Sequence, residues 1–338
     1  MKKITKLLAV LLVLASLLTL AACSPEEDTQ IKIGVLKGPT GMGAVKAAKD
    51  SVATANEPDG YTFTFYETAN VAQLNNDIIN GTVDIAALPI NACAALFNKS
   101  EGKIEVIATN ALGVLSIVGG SDITSVNDLK GKTIHTTGKA STPEYIINYI
   151  LDKNGMNAVN DLTTALDANG VRVIYHADGN AAIAAMKLDA GSFAMLPEPA
   201  ATVATTQGFK ICLSVTDEWA KVSDTKLVQG CLVVNKAFAE EHPKAIEKFL
   251  KNYKASVDYI NKAENIDDAA ALLVEYGIVP KAPIAKQAIP RANIVCEVGK
   301  TMKNDVEAML TVLHTADPKS VGGKLPTDDF YGDYDIAK

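Results

Sequence analysis

The chain has 338 residues, of which 48% are hydrophobic and 21% charged, and its formal net charge is −7. This composition is that of an ordinary globular protein and excludes a disordered, collagen-like or disulfide-dense chain. The acidic balance argues against a general nucleic-acid binder, because neutralising phosphates needs a basic surface. The length is enough for two domains of about 150 residues each.

The N-terminus has the anatomy of an export signal. Three lysines within the first six residues precede an apolar run, Leu7 to Ala22, which is short for a membrane span of about 20 residues. The run ends Leu-Ala-Ala-Cys23 and so resembles the lipobox of bacterial lipoproteins. This implies a signal peptide over residues 1–22, a lipid anchor on Cys23 and a tether over 23–30. The alternative is a plain cleaved signal with Cys23 as an incidental thiol.

Strand and helix patterns alternate along the mature chain. In chain order they predict a strand at 31–36, a helix at 42–55, a strand at 61–67, a helix at 71–80, a strand at 83–88, a helix at 92–97, strands at 104–109 and 132–136, a helix at 143–153, a strand at 171–176, a helix at 180–188, and strands at 192–196 and 209–215. This alternation predicts an α/β fold with mostly parallel sheets covered by helices.

An internal echo divides these elements into two series. Residues 84–92 and 192–200 each end a strand in Leu-Pro after a strand–helix pair. The chain is therefore predicted to form two similar α/β lobes. An apolar run at 227–234 follows, and the C-terminal region is predicted to be helical at 267–276, 284–289, 301–314 and in a stripe that begins at Pro243.

The four cysteines beyond Cys23 have wide, irregular spacings, which makes a metal cluster improbable: Cys93, Cys212, Cys231 and Cys296. A disulfide would be permitted in an exported protein, and Cys212 and Cys231 could face each other. Buried free thiols are the favoured reading, because cysteine packs readily as a small hydrophobe.

Several short motifs extend over nearly the whole mature chain in a fixed order: the lipobox, residues 32–38, 84–89, 129–133 with Thr137-Gly138, and 196–199. In these the chain resembles the periplasmic substrate-binding proteins of ABC importers, in particular the group for nitrate, sulfonates, taurine and thiamine-pyrimidine precursors. The resemblance implies a periplasmic-binding-protein type II fold. Lobe 1 would hold residues 31–118 and 232–338 and lobe 2 residues 119–231, with crossings at 113–120 and 229–234.

The same resemblance implies a ligand between the lobes, held by loops that follow the carboxyl ends of strands. The residues expected there are Lys37, Gly38, Thr40, Asn91, Asn110, Thr137, Lys139, Ser141, Thr142, His176, Glu198 and Trp219. Each has a simpler reading. The alternatives are loops that only turn the chain, a salt bridge for Glu198, a strand cap for His176 and packing on a domain surface for Trp219.

The function implied is capture of a small polar solute by a monomeric, lipid-anchored protein outside the cytoplasm. Permease and ATPase subunits would be separate chains, and no cofactor or metal is expected. A small organic anion such as a sulfonate is favoured over an aminopyrimidine. Residues 38–47 imitate a phosphate loop but lack its Lys-Ser/Thr pair after the second glycine. The other classes left open are a pyrimidine-synthase-like enzyme on the same fold and a non-transport surface lipoprotein.

Overall fold

The computed structural model describes residues 29–53 and 61–336. The predicted signal peptide, Cys23 and most of the predicted tether lie outside the described residues, as does the end of the helix predicted at 42–55.

The strands follow the predicted series with additions. They are β1 (Thr29–Leu36), β2 (Tyr61–Thr68), β3 (Ile85–Pro89), β4 (Ile104–Ala111), β5 (Leu115–Gly119), β6 (Thr133–Thr136), β7 (Asn157–Val159), β8 (Gly170–Tyr175), β9 (Phe193–Pro197), β10 (Lys210–Ser214), β11 (Gly230–Asn235) and β12 (Ile294–Glu297). The alternation in β1 is visible in its burial, since Ile31 and Ile33 are fully buried while Lys32 is exposed.

The helices cover both sheets. They are α1 (Pro39–Met42), α2 (Val45–Ala53), α3 (Val71–Ile79), α4 (Ile90–Lys99), α5 (Thr142–Lys153), α6 (Gly179–Leu188), α7 (Ala200–Thr206), α8 (Val215–Ala220), α9 (Lys236–Glu241), α10 (Pro243–Ile260), α11 (Ile266–Glu275), α12 (Ala282–Ala288) and α13 (Gly299–Ala316). The predicted apolar stripe of α10 is confirmed as core: Ile246, Phe249, Leu250, Tyr253, Val257 and Ile260 are all buried.

The first sheet, sheet A, has the strand order β12-β4-β11-β3-β1-β2. Its strands β1, β2 and β3 pair in parallel, whereas β11 is antiparallel to both β3 and β4. The carboxyl ends of β1, β3 and β4 therefore lie at one edge of the sheet, together with the amino end of β11.

The second sheet, sheet B, has the order β10-β5-β9-β6-β8-β7. Here β6, β7, β8 and β9 run in parallel and β5 runs against β9 and β10. The carboxyl ends of β6, β8 and β9 share an edge with the amino end of β5. Two mixed sheets of this kind confirm the predicted α/β class.

The chain passes twice between the sheets. The first passage is residues 112–114, between β4 and β5, and the second is residues 215–229, between β10 and β11. Strand β5 belongs to sheet B, so the first change of sheet comes a few residues before the predicted boundary at 118/119. Strand β11 belongs to sheet A and begins close to the predicted boundary at 231/232. The exact division into lobes stays a prediction. Within the described ranges, no helix is long and apolar enough to cross a membrane.

Candidate functional site

The carboxyl edges of the two sheets meet through the first turns of α4 and α5. Asn91, the second residue of α4, accepts a hydrogen bond at its Oδ1 from the Thr142 hydroxyl at 2.8 Å. Asn91 is 7% exposed and Thr142 is 1% exposed. The two halves of the molecule are therefore joined by a buried hydrogen bond, and both of its residues are among the predicted site residues.

Both helices begin without a side-chain cap. Helix α4 follows Pro89 and α5 follows Ser141, and neither residue bonds the first turn through its side chain. Uncapped helix N-termini present backbone N–H groups and about half a positive charge each. The carboxylate of Glu144 lies in the first turn of α5, near the helix N-terminus, and accepts a hydrogen bond from the Ala140 amide. The arrangement favours a ligand with an oxyanion or another hydrogen-bond acceptor.

The loop after β1 carries three of the predicted residues. Gly38 has φ 107, a left-handed conformation that favours glycine, and precedes the short α1. The Lys37 side chain is half exposed, with its ammonium 3.9 Å from a carboxylate oxygen of Glu67. The backbone carbonyl of Thr40 accepts a hydrogen bond from the Asn110 amide at 2.8 Å. The loop is thus tied to the end of β4, another predicted part of the site.

Buried polar atoms without a partner gather at this edge of sheet A. They are Thr109 Oγ1, Asn110 Oδ1 and Gln229 Nε2. Thr109 and Asn110 are fully buried and Gln229 is 9% exposed. A buried polar atom without a hydrogen bond is unfavourable, so these three atoms are candidates for bonding a ligand or water. Thr109 and Gln229 were not predicted, because neither follows a recognisable motif.

The matching loop of sheet B runs from Thr137 to Thr142. Thr137 and Gly138 are half-buried, whereas the Lys139 side chain is exposed. The Ser141 hydroxyl donates to the Gly138 carbonyl at 2.7 Å, which tightens the loop. The helix cap is Ser141, so α5 begins at Thr142, one residue before the predicted start at 143, and the Thr142 hydroxyl bonds Asn91.

His176 lies at the end of β8 and belongs to a chain of three titratable groups. Its Nε2 is 3.0 Å from Nδ1 of His135, and Nε2 of His135 is 3.3 Å from a carboxylate oxygen of Asp189. An ionised carboxylate only accepts, so His135 donates to Asp189 and accepts from His176. Burial lowers the pKa of His135, and the bond to Asp189 opposes that shift. His135 is not among the predicted site residues, because no local motif connects it to His176, 41 residues further along the chain.

Glu198 is fully buried and already has partners. Its carboxylate accepts hydrogen bonds from Arg291 Nε at 2.6 Å and from the Thr202 hydroxyl at 2.6 Å. Arg291 comes from the sheet A half of the molecule, so the bond crosses between the halves. The salt-bridged alternative for Glu198 is the one the structure shows, and we assign this residue no direct contact with a ligand.

Trp219 lies in α8 and is 1% exposed. Its indole Nε1 donates to the Thr225 carbonyl at 2.8 Å, and its ring lies 4.8 Å from that of Tyr149. This is the placement of a core residue that joins α8 to α5. We therefore do not retain Trp219 as a stacking platform for a ligand.

The four described cysteines are free thiols. The suggestion that Cys212 and Cys231 could face each other is wrong, because β10 and β11 belong to different sheets. The thiol of Cys231 instead contacts that of Cys93, and burial raises the pKa of the Cys93 thiol well above its usual value. Among residues 29–53 and 61–336 no group of three or more His, Cys, Asp or Glu side chains is arranged so that it could hold a metal ion.

The chain belongs to the NMT1-like family, whose sequence model matches residues 24–274. No curated protein matches it in sequence. Among solved structures it is similar to an ABC transporter protein from Parabacteroides distasonis, with 21% identity, coverage of 91% of this chain and 100% of the other, and a TM-score of 0.71.

Two further structures carry names that specify a ligand. The aliphatic sulphonate-binding protein SsuA of Escherichia coli is 16% identical, with 89% and 91% of the two chains covered and a TM-score of 0.67. The nitrate-binding protein NrtA of Synechocystis PCC 6803 is 16% identical, with 88% and 85% covered and a TM-score of 0.61. These likenesses confirm the periplasmic-binding-protein type II fold.

Proposed function

We propose that this protein is an extracytoplasmic solute-binding lipoprotein of an ABC importer. It would capture one small polar solute between its two halves and deliver it to a permease. The observation that carries the proposal is the meeting of two uncapped helix N-termini, α4 and α5, through the Asn91–Thr142 hydrogen bond. Ligand-driven closure of two hinged lobes is the motion that such an arrangement permits.

The family and the fold support this proposal over catalysis. The chain belongs to the NMT1-like family, and the similar structures named above bear the names of binding or transport proteins. A small-molecule site is a cleft in which a few precisely placed polar groups fix the orientation of the solute. The buried amides of Asn91 and Asn110 and the buried hydroxyl of Thr142 fit that requirement.

A small organic anion such as a sulfonate is our first choice of ligand. Two helix N-termini supply backbone donors and partial positive charge, and Lys37 and Lys139 lie on the adjoining loops. The second choice is an aminopyrimidine. It is favoured by the unpartnered acceptor Asn110 Oδ1 and the unpartnered donor Gln229 Nε2, which suit a ligand with both N–H groups and ring nitrogens.

The N-terminal segment supports a lipid anchor at the outer face of the cell membrane. Cleavage before Cys23 and acylation of that residue would hold an otherwise soluble domain at the membrane, since each buried CH₂ of an acyl chain contributes about 0.8 kcal/mol. The working form would be a monomer that docks on permease subunits with a separate ATPase.

A thermal-shift screen of residues 24–338 tests the proposal. The panel holds sulfonates, nitrate, carboxylates, amino acids, thiamine and pyrimidine precursors, and the protein is first unfolded and refolded to remove any bound solute. A ligand at 100 times its dissociation constant stabilises by about 2.7 kcal/mol, which raises the melting temperature by several degrees.

The variant Asn91→Ala should lose most of this response. A matched control is Asn169→Ala, because Asn169 lies in an exposed turn on the opposite edge of sheet B. A flat response across the panel would speak against a transport role for these solutes. An equal response in Asn91→Ala and wild type would remove Asn91 from the site.

A further inference from the structure

A buried ion pair joins the two halves beside the first passage between the sheets. Glu198 follows β9 of sheet B, and Arg291 ends a 3-10 turn that leads into β12 of sheet A. Arg291 Nε donates to Glu198 Oε1 at 2.6 Å. The Glu198 side chain is fully buried, while that of Arg291 is 36% exposed.

Thr202 completes the bonding of both charged groups. Its hydroxyl donates to Glu198 Oε2 at 2.6 Å and accepts from Arg291 Nη2 at 2.5 Å. Its backbone amide also donates to Glu198 Oε2, at 3.2 Å. A hydroxyl has one hydrogen and two lone pairs, so it can do both at once. The carboxylate is thus neutralised and hydrogen-bonded on both oxygens, as a buried charge requires.

Glu198 and Asn293 form hydrogen bonds to the passage between the sheets, residues 112–114, from opposite sides. From sheet B, the Glu198 amide donates to the Val114 carbonyl at 3.1 Å. From sheet A, the Asn293 carbonyl accepts from the Leu112 amide at 3.0 Å, and the Asn293 side chain donates to the Gly113 carbonyl. Each of the three passage residues therefore bonds to a residue of the ion-paired cluster or its close neighbour.

We propose that Glu198, Thr202, Arg291 and Asn293 form a hinge clamp, which fixes the angle between the two halves by holding residues 112–114. Separating Glu198 from Arg291 would leave the Glu198 carboxylate with only its bonds to Thr202 and without an opposite charge, so the halves stay together at this point. The Asn91–Thr142 bond joins two neutral groups and is the easier contact to break. Opening would therefore pivot about the hinge clamp.

These residues act by positioning and do not touch the ligand. The angle between the halves is a property of the ligand-free protein and does not depend on the proposed function. Any effect of these residues on solute affinity does rest on the proposed function. The test accordingly uses no ligand.

The test compares wild type with Arg291→Met, Thr202→Val and Lys210→Met in ligand-free protein. Lys210→Met is the matched control, since it removes an exposed ion pair to Asp122 within the sheet B half. Small-angle X-ray scattering reports the separation of the halves, and hydrogen exchange reports the amides of Leu112 and Glu198.

Arg291→Met should broaden the distance distribution and speed exchange of both amides by about tenfold, with amides of the central strand β3 unchanged. Thr202→Val should give a smaller effect in the same direction, and Lys210→Met none. Wild-type scattering and wild-type exchange at Leu112 and Glu198 in folded Arg291→Met and Thr202→Val would overturn the hinge clamp.

If Arg291→Met does not fold, Thr202→Val decides the question by the same two measurements. A flat thermal-shift screen would bear on the solute-binding role and leave the hinge clamp standing. An unchanged angle would remove the hinge clamp and leave the solute-binding role standing.

Discussion

The hydrogen bond between Asn91 and Thr142 makes a sharp prediction, because it forms only when α4 and α5 meet. Thr142→Val keeps the shape of the side chain and removes the hydroxyl. Asn91 is 7% exposed in the closed arrangement, so its Oδ1 would then be buried without a hydrogen-bond donor. In an open arrangement water can bond that oxygen, so the loss falls on the closed form.

The magnitude follows from the cost of an unsatisfied buried acceptor, about 1–3 kcal/mol. If closure accompanies solute binding, the affinity should fall by about 5- to 150-fold. Isothermal titration with the solute identified in the thermal-shift screen measures this fall. Thr311→Val is the control, since the Thr311 hydroxyl bonds only the Glu307 carbonyl within α13, on an exposed face.

A double-mutant cycle separates this bond from direct contacts with the solute. Asn91→Ala and Thr142→Val should be coupled, so the double variant should bind about as weakly as the worse single variant. Strictly additive losses would mean that the two residues act on the solute independently. Wild-type affinity in a folded Thr142→Val protein would refute the reasoning altogether.

Three further predictions concern other parts of the molecule. Burial lowers the pKa of His135 below its ordinary 6.5, so the unfolded chain binds the proton more readily than the folded protein does. The free energy of unfolding should therefore fall as pH drops below about 6.5. Melting temperatures measured across this pH range should fall less in His135→Gln than in wild type. Gly230→Ala should lower both the melting temperature and solute affinity, since a Cβ there would lie 2.6 Å from Asn110 Oδ1, whereas Gly120→Ala, with no atom within 4 Å, should change neither. Cys23→Ala should move the protein from the membrane fraction to the soluble fraction, as fractionation and immunoblotting would show, and retention at the membrane would contradict the anchor.

Local patterns in the sequence predicted most elements because each depends on nearby residues. The six apolar positions of α10 recur at helical spacing and are all buried. The strand–loop–helix units gave β1, β3, β6 and β9 within two residues at each end. Such features need no knowledge of the partner surface.

Pairings between distant residues could not be predicted. Glu198 and Arg291 lie 93 residues apart, and no local motif connects them. The short segment β5 resembled a plain crossing because its partners β9 and β10 come much later in the chain. Trp219 looked available to a ligand because its neighbours in sequence are polar, but tertiary packing against Tyr149 buries it.

The same distinction applies to the candidate site. Asn91 and Thr142 were predicted because they begin helices after strands, a position where α/β proteins bind ligands. Thr109 and Gln229 were missed because only the juxtaposition of β4 and β11 leaves their polar atoms buried without partners.

The most direct test of the solute-binding role is a crystal structure of residues 24–338 with the best ligand from the thermal-shift screen. The ligand should lie between the N-termini of α4 and α5, within hydrogen-bond distance of Asn91 or of backbone amides in those first turns. A ligand bound elsewhere, with the space between the N-termini of α4 and α5 unoccupied, would contradict this role for the site.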